Sequence, residues 1–349
     1  MRTAASLLNS LQERYNPDHN LLVEQRSLSD LSNEARDIAK YVRAAMNEVD
    51  EHYTQITLNA GNAAKEQLAA KQYGIDYRFQ GSVMTRTHIL GVSDIDLLTL
   101  TNRFEGTDIF EARQILSNPL KQVPYTYAQL GRLRTFSENF STYTGNANED
   151  LKQLRLSNET ILRAAYIICD TSNPKSIKIK NQHYNRDVDV VTAAWHKSID
   201  SITLADEDYK GVCIYDKAAN RRLDPDYPFL SIKRINNRSA ETGGRLKKMI
   251  RFLKNVVADS DKEIKLHSFE INALCYSFPV DEYANTYYLN LVEYLWLKMY
   301  RLLENESQLN SIQSVDGSEY IFKNKPENVS ALRLLKDDVW DLYQILQKK

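Results

Sequence analysis

This chain is short of the residues that assign a class at a glance. Cysteine occurs three times in 349 residues, at Cys169, Cys213 and Cys275. An odd number at such wide spacing makes neither a disulfide framework nor a zinc signature. The segments around them are apolar, so three buried free thiols in a reducing, cytoplasmic setting are expected. The six histidines show no zinc spacing. No apolar run is long enough to span a bilayer, and Met1-Arg2-Thr3-Ala4-Ala5-Ser6 lacks the apolar stretch of a signal peptide. The Gly-Lys-Ser/Thr of a P-loop and the Gly-x-Gly-x-x-Gly of dinucleotide folds are both missing. So are internal repeats, heptads and low-complexity tracts. Neither charge is in excess: 45 Lys and Arg face 46 Asp and Glu, a formal net charge of −1. That balance argues against a protein that coats nucleic acid non-specifically, and it leaves room for a local basic groove. The composition therefore points to no membrane partner and gives no strong nucleic-acid signal.

What the chain does have is one dense motif, running from Gly81 to Leu98. Tyr77-Arg78-Phe79-Gln80 reads as a short strand ended by Gly81 and Ser82. A glycine there lets the backbone come close to a ligand, and the serine adds a hydroxyl donor. Asp94 and Asp96 follow within Ser93-Asp94-Ile95-Asp96-Leu97-Leu98-Thr99-Leu100. On a strand the spacing sends both carboxylates to one face and Ile95 and Leu97 to the other. Charge in so apolar a strand is costly unless something compensates for it. Two adjacent carboxylates repel unless a cation lies between them. Hard oxygen ligands suit Mg²⁺, with Mn²⁺ as the alternative, bridging them to a nucleoside triphosphate. Taken separately, a Gly-Ser pair is a turn and an Asp-x-Asp pair is a solvated strand edge. Their order and apolar setting favour the metal-nucleotide reading.

Gly-Ser, then Thr, then Ser-Asp-Ile-Asp-Leu-Leu resembles the nucleotidyltransferase superfamily built on the polymerase β-like fold. Within it the chain is most similar to the CD-NTases, bacterial relatives of cyclic GMP-AMP synthase and of oligoadenylate synthase. Thr87-His88-Ile89-Leu90-Gly91-Val92-Ser93-Asp94-Ile95-Asp96 matches the family's Gly-Thr-x-Ile-x-Gly-x-x-Asp-x-Asp run, except that Arg86 stands where Gly precedes the Thr. The family needs a third carboxylate. Asp189-Val190-Val191-Thr192-Ala193 is similar to its Asp-Val-Val-Pro-Ala, with Thr192 in place of Pro, which implies Asp189 as the ligand. Asp187 competes with it, because i and i+2 share a strand face. Ser176 to Lys180 reads as the hairpin partner strand, with Asn181 to Asn185 as its turn. A charged edge hairpin with no metal is the plainer alternative.

In Gly244 to Asn255, Leu246, Met249, Ile250 and Leu253 fall on one helix face. Arg251 and Lys254 neighbour each other on another. The resemblance implies that Lys254 grips the triphosphate with help from Arg251, and that Ser268 lies near the nucleotide. Without it, a solvated basic face and a helix N-cap would be the ordinary readings.

The resemblance implies an α+β fold: a polymerase β-like nucleotidyltransferase core of mixed sheet and helices, in a bilobed chain. A catalytic lobe with an N-terminal brace helix would span 1–225, and a helical C-terminal lobe 226–349. Leu31 to Tyr73 reads as long helix, with caps in Ser29 to Glu34 and a division at Gly61. Residues before Ser27 read as loosely ordered or as a short helix. Helices are also expected at 108–117, 146–169, 241–257, 266–278, 286–304 and 328–348. The 118–144 segment, with Tyr125, Tyr127, Arg132 and Arg134, reads as an insertion. Trp296, Leu297, Met299, Tyr300, Trp340, Leu342 and Leu346 are expected in the core.

The implied activity joins nucleotides. A ribose hydroxyl attacks the α-phosphate of an NTP, with Asp94, Asp96 and Asp189 holding Mg²⁺, and with Gly81, Ser82, Thr87, Arg251, Lys254 and Ser268 around the nucleotide. The product would be a cyclic or short linear oligonucleotide, a second messenger in antiphage defence. ATP or other NTPs would be the substrates, and a regulatory protein or ligand a further partner. Two alternatives stand beside this: transfer to an RNA, protein or small-molecule acceptor, and an inactive binding protein that keeps the fold.

Overall fold

The computed structural model describes residues 3, 6–8, 10–11, 32–91 and 94–348. The expected caps at Ser29 to Leu31, Ser93 of the motif and most of the stretch before Ser27 lie outside the described residues. In chain order the elements are α1 (Asn33–Met46), α2 (Glu51–Ala69), β1 (Ile75–Gln80), β2 (Ile95–Thr107), α3 (Ile109–Ser117), α4 (Tyr127–Glu138), α5 (Ala147–Ala165), β3 (Cys169–Asp170), β4 (Ser176–Asn181), β5 (Arg186–Lys197), α6 (Ile199–Leu204), β6 (Gly211–Asp216), β7 (Arg221–Arg222), α7 (Pro228–Glu241), α8 (Arg245–Asp259), α9 (Ser268–Tyr276), α10 (Asn290–Glu304) and α11 (Pro326–Leu346). They form two compact units. A sheet unit comprises Glu51–Met84 and Asp94–Lys233; a helical unit comprises Met1–Asp50, Thr85–Ser93 and Arg234–Lys349.

In the sheet unit the strand order is β1-β2-β5-β4-β3, with β6 on β5 and β7 on β6. β2 and β5 run parallel; β1 and β4 flank them antiparallel. The parallel pair needs a long crossover, and the chain between β2 and β5 supplies it. Alternation sets the two faces. Ile95 and Leu97 of β2, Ile177 and Ile179 of β4, and Val188 and Val190 of β5 pack on Ala60, Ala64 and Leu68 of α2 and on Ile161 and Leu162 of α5. Each such side chain buried adds about 1.5–3 kcal/mol. The intervening residues, Asp96, Lys178, Asp187 and Asp189, therefore share the opposite face.

The expected break at Gly61 is corrected. The helical stretch divides at Asn47–Asp50, and Gly61 lies inside α2. A Cβ at Gly61 would stand 2.7 Å from Phe79 Cε1, so this glycine lets α2 lie close on the sheet. The 118–144 segment holds two helices, Pro119–Gln122 and α4; α4 is opened by Thr126, whose hydroxyl accepts from Gln129 N, and Leu130 and Leu133 pack with Ala112, Ile115 and Ile199. Cys213 and Cys275 are buried, but Cys169 is only half-buried, because its strand spans just two residues at the end of the strand order.

In the helical unit, Ser32 caps α1 by accepting from Ala35 N. The predicted stripe of Leu246, Met249, Ile250 and Leu253 on α8 is fully buried. α7 and α8 are separate helices because Gly243 and Gly244 take φ of +52° and +84° between them. On α10, Leu295, Met299 and Leu302 face the core. Trp296 and Tyr300 lie about 100° round from that stripe. Trp296 is half-buried against Trp340, with ring centroids 4.2 Å apart, and Tyr300 is 45% exposed. The core expectation thus holds for Met299 and Leu342; Trp296 and Leu346 are partly buried and pack against that core, and the expectation is corrected for Leu297, Tyr300 and Trp340. No helix among the described residues is long and apolar enough to cross a membrane.

Candidate active site

Register brings the carboxylates together. Asp96 on β2 stands beside Asp189 on β5 in the parallel ladder. Gln80, the last residue of β1, pairs with Asp96 from the other side. Lys178 of β4 lies directly opposite Asp189. Asp187 is one step nearer the start of β5, opposite Lys180. The ladder therefore sets Asp189, not Asp187, at the side of Asp96.

The electrostatics follow from that crowding. Burial, then the charges of Asp189 and Asp94, push the Asp96 carboxyl up to about 7. Burial also raises Asp189, against the pull of Lys178. Lys178 Nζ lies 2.6 Å from Asp94 Oδ2 and 3.4 Å from Asp187 Oδ2. Its bond to Asp94, with the other aspartates, raises the ammonium to about 12, against the cost of burial. Gly81 has φ +90°, and a Cβ on it would stand 2.7 Å from Asp96 Oδ2. The sequence suggested close approach of a ligand there; in the structure it is the Asp96 carboxylate that needs the space. Ser82 follows at the β1 end, half-buried.

The helical unit holds the other candidates. Arg86 takes φ +54°, a left-handed conformation natural to the glycine that the motif has there. Thr87 is fully buried and its hydroxyl bonds that of Thr85 at 2.8 Å. Lys254 is buried and its Nζ donates to Thr87 O at 2.9 Å. Arg251, also buried, donates to Arg86 O at 2.7 Å and to Met46 O at 2.8 Å. Burial and the neighbouring Arg251 charge hold Lys254 down at about 7. Both side chains thus staple the 85–91 turn to α8 through backbone carbonyls. Ser268 is the first residue of α9; the cap position is His267, whose N–H donates to Glu270 at 2.9 Å. The N-cap reading of Ser268 is corrected accordingly.

Two features escaped the sequence reading. Lys178 is one; counting back from the Asn181–Asn185 turn would have placed it opposite Asp189. The other is Asn158 on α5, whose amide donates to Thr99 Oγ1 of β2 at 2.8 Å and to Thr192 Oγ1 of β5 at 3.0 Å. It ties the two carboxylate-bearing strands together, and it gives a use to the Thr192 that replaces proline. Arg132 is turned away from a ligand role, donating through Nε to Thr203 O at 2.8 Å.

Among the described residues, no three acidic or imidazole groups converge closely enough to hold a metal ion as they stand. The donor set nonetheless fits one. Asp96, Asp189 and Asp94 repel one another on top of the cost of burial, and hard oxygens on neighbouring strands suit Mg²⁺.

A mixed sheet with paired strand carboxylates, joined to a helical segment, defines a polymerase β-like nucleotidyltransferase. Residues 233–344 match the family model of the cGAS/DncV-like nucleotidyltransferase C-terminal helical domain. The chain is 46% identical to a c-di-GMP synthase of Lachnospiraceae bacterium strain RUG226, over 98% of each chain. It is 40% identical to one from Capnocytophaga granulosa, over 98% of this chain and 97% of that one. Among solved structures, a STING-associated CdnE c-di-GMP synthase from Flavobacteriaceae sp. superposes with a TM-score of 0.87 at 34% identity, over 99% of each chain. The chain belongs to the CD-NTase family.

Proposed function

We propose that this protein joins two molecules of GTP into cyclic di-GMP, releasing two pyrophosphates. The observation that carries the chemistry is the lateral pairing of Asp96 with Asp189, with Asp94 two residues upstream of Asp96. The base and the cyclic product are taken from the full-length relatives.

In this reading Asp94, Asp96 and Asp189 hold Mg²⁺, with Mn²⁺ able to replace it. The bound ion would neutralise the triphosphate and lower the pKa of the attacking ribose hydroxyl. The chain's own residues do the rest. β2 and β5 fix the carboxylates on one rigid face, and Asn158 holds their register. Gly81 and Ser82 sit at the adjoining end of β1 and receive phosphate oxygens. Lys254 is a buried ammonium with a carbonyl as its partner; a triphosphate would give it an anion. Arg251 shapes the 85–91 turn from beneath. Thr87 contributes through that turn, and Ser268 from the start of α9. The proposed lobes, 1–225 and 226–349, would place the carboxylates in the first and the phosphate-gripping helix in the second. Catalysis is mainly positioning and charge neutralisation. The ribose hydroxyl of one GTP forms a bond to the α-phosphorus of the other as the α–β bond breaks, and a second such step closes the ring. We place the enzyme in the cytoplasm and its product in antiphage signalling through a cyclic dinucleotide receptor.

The test is incubation of purified protein with each radiolabelled NTP, singly and mixed, with Mg²⁺ or Mn²⁺. Phosphatase-resistant c-di-GMP from GTP alone, absent with the Asp94→Asn/Asp96→Asn protein, is the expected result. Label appearing on RNA or protein instead would move the reading to a macromolecular acceptor.

A further inference from the structure

Lys178 has no part in the metal chemistry just described, yet it lies among the carboxylates that carry it. It extends from β4 on the face shared by Asp96, Asp187 and Asp189. One ammonium there meets the carboxylates of Asp94 at 2.6 Å and Asp187 at 3.4 Å. The two partners are unequal in kind. Asp94 belongs to the proposed metal set; Asp187 stands outside it, one step from the Asp96–Asp189 pair. The Lys178 side chain is 44% exposed, so it is free to move between them. A lysine stem rotates easily, and its head is a point charge that needs no fixed geometry.

We propose that Lys178 is an exchangeable counter-ion of the metal site, with Asp187 as its second seat. Before a divalent cation binds, the ammonium neutralises Asp94 and keeps the crowded carboxylates from repelling one another. When the cation arrives, Lys178 yields Asp94 and rests on Asp187. This rests on the metal-nucleotide reading of the same carboxylates. It adds a role for two residues of this chain that the reading leaves without one. It also gives a reason for the i, i+2 aspartates on β5: one serves the cation, the other the displaced lysine.

The experiment is titration of the nucleotide-free protein with Mn²⁺, read by electron paramagnetic resonance of the free ion, with melting temperature followed in parallel. Removing a positive charge a few ångströms from the site favours a divalent cation. Lys178→Met should therefore bind Mn²⁺ about fivefold more tightly, and should melt at lower temperature when no metal is present. Lys178→Arg keeps the charge and should behave like the native protein. Asp187→Asn removes the second seat and should weaken Mn²⁺ binding. That weakening should shrink when Lys178 is already Met, since there is then no ammonium to seat. Unchanged or weaker Mn²⁺ binding in Lys178→Met would overturn the proposal, as would the same Asp187→Asn effect in both backgrounds. Because the readout is metal binding, it is independent of which product the enzyme makes. A failed c-di-GMP assay and a failed titration are separate outcomes.

Discussion

Two charge clusters, one in each unit, shift a lysine in opposite directions. On the sheet, Lys178 bonds Asp94, and that bond, with the charges of Asp94, Asp189 and Asp187, raises its ammonium to about 12 against the cost of burial. On the helical unit, Arg251 is buried on the carbonyls of Met46 and Arg86 with the Glu48 carboxylate 3.5 Å away, and Lys254, buried on Thr87 O, is held down at about 7 by burial and then by the Arg251 charge. The same residue type is pushed in opposite directions because Lys178 bonds a carboxylate among others, whereas Lys254 is buried beside Arg251 with a carbonyl as its partner. A buried ammonium such as Lys254, with a carbonyl as its partner, is costly in the fold.

The largest effect is expected at the sheet. Asp96→Asn should lower turnover by roughly a thousandfold, as loss of a metal-holding carboxylate does. It should also raise the melting temperature of the metal-free protein, because it removes a buried charge repelled by Asp189 and Asp94. Lower stability in that variant would break the contrast drawn here. Asp189→Asn should match it in turnover.

Next comes Lys254→Met, which should raise the KM for GTP by roughly tenfold while the protein stays folded. Its pH signature has a definite sign. Lys254 sits at about 7 in the fold, below the ordinary 10.5. The unfolded chain therefore binds more protons between those values, so the charged form opposes folding and stability recovers as pH rises. The variant's gain over the native protein should be greatest below pH 7 and fade toward pH 10.5. Melting curves of the two proteins across that range check it; a gain that grows with pH would contradict the assignment.

The smallest effect belongs to a pair outside both clusters. Burial pulls the His196 imidazolium down, but its bonds to Asp108 and Cys213 outweigh this and hold it up at about 9. A raised histidine stabilises fully below its ordinary 6.5 and loses that contribution as pH rises through about 9. His196→Gln should cost about 1–2 kcal/mol at low pH and much less above that window, as measured by urea unfolding at the two ends.

The contrast between the clusters also explains what could be read in advance. The face of Asp96 was legible because alternation in an apolar strand fixes a face, and charge on such a strand stands out; Asp189 was preferred to Asp187 only through the family resemblance, and the parallel register then sets it beside Asp96. Lys178 was not read as part of the site, because Ser-Ile-Lys-Ile-Lys looks the same on any edge strand; only its register with Asp189 gives it meaning. α8 was legible from its apolar stripe. The burial of Arg251 and Lys254 was not, since their spacing equally describes a solvated face, and the carbonyls that receive them come from distant segments, at Met46, Arg86 and Thr87. α7 was missed, since no helix was expected between 169 and 241; its first residue is Pro228, where the missing N–H costs nothing.

One measurement tests the proposed metal-nucleotide site most directly. The melting temperature would be followed with Mg²⁺ alone, with a non-hydrolysable GTP analogue alone, and with both. A shift with both together well above the sum of the separate shifts is the predicted result, since each partner supplies the charge that the other leaves wanting. Shifts that merely add, or a full shift from the analogue without metal, would contradict it.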